Sequence, residues 1–258
     1  MSHQLPCFVL CSSDQAPHRE PIRARLEAKG LRVTFFPMVE RDNITDRNLG
    51  SYINAHKNKS EYGDVLTPDN VTVALSHLNV YRHILNHHLP GAVILEEDAD
   101  VAETLVQLLD TKSAECLENM FGSYEPVVVQ LTHVAQAYRS QRRDIGNTPF
   151  KMMRPYGTVR QSRGYFVTNA ACHNLVKTQY PVWTSADHWE GFVEQDIFRL
   201  WALTPNPVWA CDPAAELAPA NQPVARPANL LDPVHRAWDK VVTENILVRR
   251  LPKHPPVR

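Results

Sequence analysis

Gly91-Ala-Val-Ile-Leu-Glu-Glu-Asp-Ala-Asp-Val101 is the stretch that decides how this chain is read. Ala92 to Leu95 is a short apolar run with β-branched Val93 and Ile94, the pattern of a strand buried on both faces. It runs straight into Glu96, Glu97, Asp98 and Asp100. An unpaired carboxylate is too costly to bury, so these acids face water at the strand's carboxyl end or surround a cation. Open α/β sheets place their ligand crevice at that end. Oxygen ligands with no Cys nearby in sequence select Mg²⁺ or Mn²⁺ over Zn²⁺, and Asp98-Ala-Asp100 has a D-x-D spacing suited to such an ion. The plain alternative is an acidic loop that caps the next helix.

Upstream, Pro6 to Cys11 is predicted as a first strand. Ser12-Ser13-Asp14 offers N-cap chemistry for a helix over Pro17 to Lys29, closed by Gly30, and Leu31 to Phe36 is a second strand. This is a βαβ unit. Arg19, in the first turn, could reach a diphosphate; a solvated basic face is the competing reading. From Val39 to Thr67 the chain is polar and aperiodic, the composition of a lid or a long surface excursion. Pro68-Asp69 opens a helix to about His88, with Val73, Leu78, Tyr81, Ile84 and Leu85 as its core face. Ser76 and His77 lie in its middle, and His77 could line the crevice. His83 and His87 have metal-ligand spacing but lack the HExxH glutamate, so a structural role at the helix end is the better reading.

Downstream, a helix is predicted over Glu103 to Met120, then a buried strand in Glu-Pro-Val-Val-Val-Gln-Leu. His133 to Met153, basic through Arg139, Arg142 and Arg143, reads as a mobile loop. Arg163-Gly164-Tyr165-Phe166-Val167 is a strand interrupted by glycine, which implies close approach of a ligand or backbone. Asn169 to Lys177 is a helix. Trp183 and Trp189 then bracket Asp187 and His188. Indole faces pack on sugar C–H surfaces and a carboxylate between them could serve as base, although aromatics of this kind are more often core.

Of the 258 residues 43% are hydrophobic and the formal charge is −1. The chain can bury a substantial core, and it lacks the global basic signature of a nucleic-acid binder. Its five cysteines are odd in number and form no C-x-x-C pair, which argues for reduced thiols. The amino terminus lacks the features of a signal peptide and no apolar run is long enough to span a membrane. The expectation is a cytoplasmic protein, with peripheral contact to the membrane's inner face as an extension of it. Two regions are expected: a domain over 1–212, and a Pro-rich linker with an amphipathic basic tail over 213–258 that could rest on an anionic membrane.

Four segments together resemble glycosyltransferase family 25: HREPIRARLEAKGLRVTFF, VALSHLNVYRHIL with AVILEEDADV, RGYFVTNAACHNLV, and SADHWEGF. That family includes bacterial lipooligosaccharide galactosyltransferases and the collagen hydroxylysine galactosyltransferases. The resemblance implies a GT-A-like α/β fold with a mostly parallel central sheet. It also implies inverting transfer of a hexose, typically galactose, from a UDP-sugar to a saccharide, with Mn²⁺ or Mg²⁺. Residue by residue, Glu97 and Asp98 match the family's paired acids, and Asp98 or Asp100 would ligate the metal. His77 with Ser76 matches the helix histidine, Gly164 and Tyr165 the glycine-tyrosine strand, and Asp187 the later acid that acts as base. Arg19 would join the donor site, and Trp183, His188 and Trp189 the acceptor site. The family's Asn-Leu after the first strand is here Ser12-Ser13, and its Glu-Asp-Asp-Val is here Glu-Glu-Asp-Ala-Asp. Two alternatives from other classes are a non-catalytic carbohydrate-binding relative and a metal-dependent phosphoester hydrolase.

Overall fold

The run at Gly91 forms β3 (Gly91–Glu96), and its neighbours are the first two strands of the chain, β1 (Cys7–Cys11) and β2 (Thr34–Pro37). A computed structural model describes residues 5–63, 65–121, 124–212 and 247–251. β1 lies parallel to both β2 and β3, with Val9 opposite Phe35 and Leu95, and α1 (Ala16–Glu27) makes the crossover expected of a βαβ unit. Ser12-Ser13-Asp14 does not supply the cap: α1 starts after Gln15, whose backbone N–H is taken by Ser13 Oγ at 3.2 Å.

Between β2 and the long helix α3 (Pro68–Asn86) the excursion is folded into single turns, Arg41–Asn43, Leu49–Ser51, α2 (Ala55–Lys57) and Asn58–Tyr62. Ile44 and Leu66 are buried and pin it to the body. Thr67 and Asn70 close a capping box at the start of α3, satisfying backbone N–H groups that a helix leaves orphaned there.

After β3, β4 (Ala99–Val101) turns away and pairs antiparallel with β10 (Val208–Ala210). The single helix predicted over Glu103 to Met120 is two, α4 (Leu105–Leu109) and α5 (Thr111–Phe121). Asp110, extended between them, accepts the Ser113 N–H at 2.9 Å, so its preference for a turn overrides the apolar periodicity. β5 (Val127–Gln130) follows as expected.

The expectation of a mobile loop over His133 to Met153 is corrected. The segment is an antiparallel hairpin of β6 (Gln136–Asp144) and β7 (Lys151–Pro155). Met152 and Met153 are fully buried, and the guanidinium groups of Arg143 and Arg154 lie over the Trp201 ring, so arginine side chains here cover apolar surface. Next come β8 (Gly164–Thr168), α6 (Asn169–Thr178), α7 (Trp189–Glu194) and β9 (Arg199–Thr204). β11 (Val248–Arg250), inside the stretch expected to be a tail, joins the sheet beside β6. The Pro-rich and amphipathic segment between Asp212 and Leu247 lies outside the described residues.

The described strands form a sheet in the order β11-β6-β7-β9-β5-β8-β3-β1-β2, flanked by helices and compatible with a GT-A-like fold; it is mixed rather than mostly parallel, since β8 and the β6–β7 hairpin enter it antiparallel. Strand alternation divides the core in two. Phe8, Leu10, Ala92 and Ile94 pack toward α3 and α6. Cys7, Val9, Val93 and Leu95 pack toward α1, α4 and α5. All five cysteines are free thiols. No described helix is long and apolar enough to cross a membrane.

Candidate active site

Two clefts open where β1, β2 and β3 end, on the carboxyl side that the sequence predicts. The larger, about 400 Å³, is lined by Ser12, the segment Met38 to Asp42, and Asp69, Thr72 and Val73 of α3. The smaller, about 270 Å³, is lined by Tyr62, Glu96, Arg160, Ser162, Ser185 and Asp187, together with Asp69, Asn70, Val73 and Ala186. Asp69 and Val73 belong to both, so the clefts adjoin across one face of α3.

The acids after β3 do not act as a unit, because side chains of an extended chain alternate. Glu96 follows Ile94 to the α3 side and enters the smaller cleft. Glu97 turns the opposite way, where its carboxylate accepts Ser12 N–H at 3.0 Å, Ser12 Oγ–H at 2.8 Å and His18 Nε2 at 2.8 Å. Burial pushes the Glu97 carboxyl up, but the His18 and Ser12 bonds outweigh it and hold it below the ordinary value. Asp98 pairs with Arg163 at 2.9 Å, while its other oxygen, Oδ1, is buried without a hydrogen-bond partner. Burial leaves its pKa raised despite Arg163. Asp100 accepts the N–H of its neighbour Val101. Neither Asp98 nor Asp100 lines either cleft.

Glu96 is the functional candidate that the motif comparison passes over, and the alternation after Ile94 is the signal that could have found it. Ser162 Oγ–H donates to Glu96 Oε1 at 2.5 Å, and His77 Nε2 lies at 3.4 Å from the same oxygen. His77 Nδ1 is 2.6 Å from the Tyr165 hydroxyl, which is 2.6 Å from the Tyr81 hydroxyl. With Tyr81 donating to Tyr165 and Tyr165 to His77 Nδ1, the Nε2–H is turned toward Glu96, where at 3.4 Å it stays buried without a hydrogen-bond partner. Burial pushes the Glu96 carboxyl up, yet His77, Ser162 and the charge of Arg163 outweigh it, so it stays ionised below the usual glutamate range.

Asp187 lines the smaller cleft as well. Its Oδ1 accepts Ser185 Oγ–H at 2.7 Å, and Tyr62 OH lies 3.2 Å from that Ser185 oxygen. Beside it Arg160 and Glu190 pair at 3.1 Å, with Arg160 Nε and Glu190 Oε2 buried and unpartnered. Burial drives the Glu190 pKa upward, more than Arg160 draws it down, and the charge of Asp187 adds to the rise.

Several predicted contacts are corrected by burial. Trp183 and Trp189 are completely buried. Their indole N–H groups donate to the carbonyls of Thr178 and Gln161, and their rings pack on Phe192, so neither face is open to a sugar. His188 is buried too, bonded to Thr184 at 2.8 Å and packed on Tyr62. A Cβ on Gly191 would come 2.4 Å from that imidazole, which explains the glycine. Gly164 is a glycine for the same reason: a Cβ there would lie 2.7 Å from Val208 Cγ1, so the close approach is β10 rather than a ligand. Tyr165 has no accessible surface. Ser76 is also sealed, donating to the Thr72 carbonyl at 2.7 Å and accepting Val39 N–H at 2.9 Å, which fixes one wall of the larger cleft. Arg19 bonds the Ser13 carbonyl at 2.9 Å and lies over Phe35, outside the lining of both clefts. The cation that does line the larger cleft is Arg41, paired with Asp69.

A Mg²⁺ or Mn²⁺ ion is commonly held by one or two carboxylates together with substrate phosphates. Asp98 offers such an ion an unpartnered buried oxygen, although it lines neither cleft and its other oxygen is held by Arg163, whose side chain is only 12% exposed. Asp100 fits less well, its Oδ1 being used by the backbone.

No curated protein matches the chain in sequence. The profile of glycosyltransferase family 25, described as an LPS biosynthesis protein, matches residues 6–189, which spans β1 to the start of α7 and every residue of both clefts. A sugar donor and a saccharide acceptor follow from that match, and the paired clefts offer room for two ligands side by side. The chain therefore belongs to glycosyltransferase family 25.

Proposed function

We propose that the chain moves a hexose, galactose first among the candidates, from a UDP-sugar to a hydroxyl of a saccharide carried on a lipid, with inversion at the anomeric carbon. The observation that carries this reading is the pair of adjoining clefts, with Glu96 and Asp187 both lining the smaller. UDP occupies the larger cleft, against Ser12, Met38 to Asp42 and Arg41. The sugar reaches past Val73 into the smaller cleft, where ionised Glu96, steadied by His77 and Ser162, accepts hydrogen bonds from its hydroxyls.

The acceptor hydroxyl attacks the anomeric carbon opposite the UDP oxygen, the carbon–oxygen bond to UDP breaks, and Asp187 takes the hydroxyl proton. Ser185 and Tyr62 hold that carboxylate in place. Asp98 would hold a Mn²⁺ or Mg²⁺ ion, which supplies neutralisation of the charge that grows on the departing diphosphate. An ion on Asp98 would have to displace the Arg163 guanidinium that pairs with it. With Trp183 and Trp189 sealed, the non-catalytic sugar-binding alternative loses the surface it relied on.

Calorimetric titration of UDP with and without Mn²⁺ tests the donor half. Metal-dependent binding in the natural chain, lost in Asp98→Ala and kept in Asp187→Asn, is the expected result. The acceptor half is tested by UDP release from UDP-galactose with a panel of saccharides, in which Asp187→Asn should lower turnover by about 10²–10⁴-fold. Normal turnover in that variant would remove Asp187 from the role of base.

A further inference from the structure

Cys11 ends β1, His18 lies in the first turns of α1, and Glu97 follows β3. The folding of the βαβ unit brings these three elements to one point beside the larger cleft. The Cys11 sulfur, a His18 ring nitrogen and a Glu97 oxygen all lie within 4.8 Å of one another. His18 Nε2 is 2.8 Å from Glu97 Oε2, and the Cys11 thiol donates to the Ser13 carbonyl at 3.2 Å. Nothing in the proposed transfer reaction uses Cys11 or His18.

We propose that Cys11, His18 and Glu97 form a binding site for a thiophilic divalent cation, Zn²⁺ foremost, separate from the oxygen-ligand ion assigned to Asp98. Thiolate and imidazole ligands select Zn²⁺ over Mg²⁺ and Mn²⁺. Zn–S bonds of about 2.3 Å and Zn–N or Zn–O bonds of about 2.0–2.2 Å place tetrahedral ligand atoms about 3.3–3.7 Å apart, so small side-chain shifts complete the set. On binding, the Cys11 proton leaves to solvent and His18 coordinates through a neutral Nε2. Thiolate and carboxylate then balance the ion's charge. The groups around the ligands are in place as well: both Ser12 donors orient Glu97, Arg25 bonds the Glu97 and Ala99 carbonyls, and Arg19 bonds the Ser13 carbonyl. The His18 side is open, with its side chain 44% exposed, which leaves the fourth position to water. Because Ser12 lines the larger cleft, a filled site would tie that cleft's rim to α1 and β3.

The test is Co²⁺ titration of the full chain carrying Cys211→Ser, which removes the exposed thiol. One Co²⁺ per chain is expected, with a near-ultraviolet thiolate-to-cobalt band and the intense visible bands of four-coordinate Co²⁺. Zn²⁺ should displace it and excess Mg²⁺ should not. Adding Cys11→Ser should abolish the ultraviolet band. Adding His18→Ala, a change at an exposed side chain, should weaken binding by at least about tenfold. Asp98→Ala should leave the spectrum unchanged, so this site and the donor-site ion succeed or fail separately. Absence of the thiolate band, or a band indifferent to both Cys11→Ser and His18→Ala, overturns the proposal.

Discussion

Glu96 shows how a single carboxylate is prepared for a cleft. Burial alone would neutralise it, and the ionised form survives because Ser162, His77 and Arg163 meet it. The sign of its effect on stability follows. Its folded pKa lies below the unfolded glutamate value of about 4.3, so its ionised form contributes stability above that value and loses it as pH falls through the lower folded pKa. Denaturant unfolding across that range should show the advantage of the natural chain over Glu96→Gln shrinking as the solution is acidified. An advantage that grows on acidification would contradict the network. Glu97, one position on, answers to different partners, and no reading of residue type could separate the two; only the two-residue period of an extended chain does so.

Strands and helices with a strong period were legible from the sequence, and elements governed by one local side-chain contact were not. β1, β3, α3 and β8 sit where the apolar patterns put them, because burial on both faces leaves little freedom. The β6–β7 hairpin escaped, since Arg139, Arg142 and Arg143 read as the charge of a mobile loop, whereas Arg143, and Arg154 just beyond that stretch, lie over Trp201. The indoles of Trp183 and Trp189 escaped for the opposite reason: the sequence cannot tell a ring that meets a sugar from one that meets Phe192. Gly164 belongs to the same class and gives a direct test. Gly164→Ala should cost about 1–3 kcal/mol through the clash with Val208. Thermal unfolding should show that loss, and Val208→Ala in the same chain should recover part of it. A change confined to the Michaelis constant for the donor, with unfolding unaltered, would return Gly164 to the ligand side.

Across the whole molecule, the parallel end of the sheet gathers the carboxyl termini of β1, β2 and β3, and the described hairpin and β11 extend the other end away from it. What the sequence carries about the site is therefore its address, the end of β3. The identity of the residues that line it depends on how the loops at 38–42, 160–162 and 185–187 converge. Asp69 and Val73, common to both clefts, carry a kinetic consequence. A ligand pressing on α3 from one cleft should alter the shape offered to a ligand in the other, so on the proposed reading the two substrates should not add independently. Initial-rate plots against each substrate at fixed levels of the other should intersect away from the abscissa, and Val73→Ala, which thins the partition, should move the intersection toward it. The partition between the clefts would then couple the uptake of one substrate to that of the other, in addition to dividing the space they occupy.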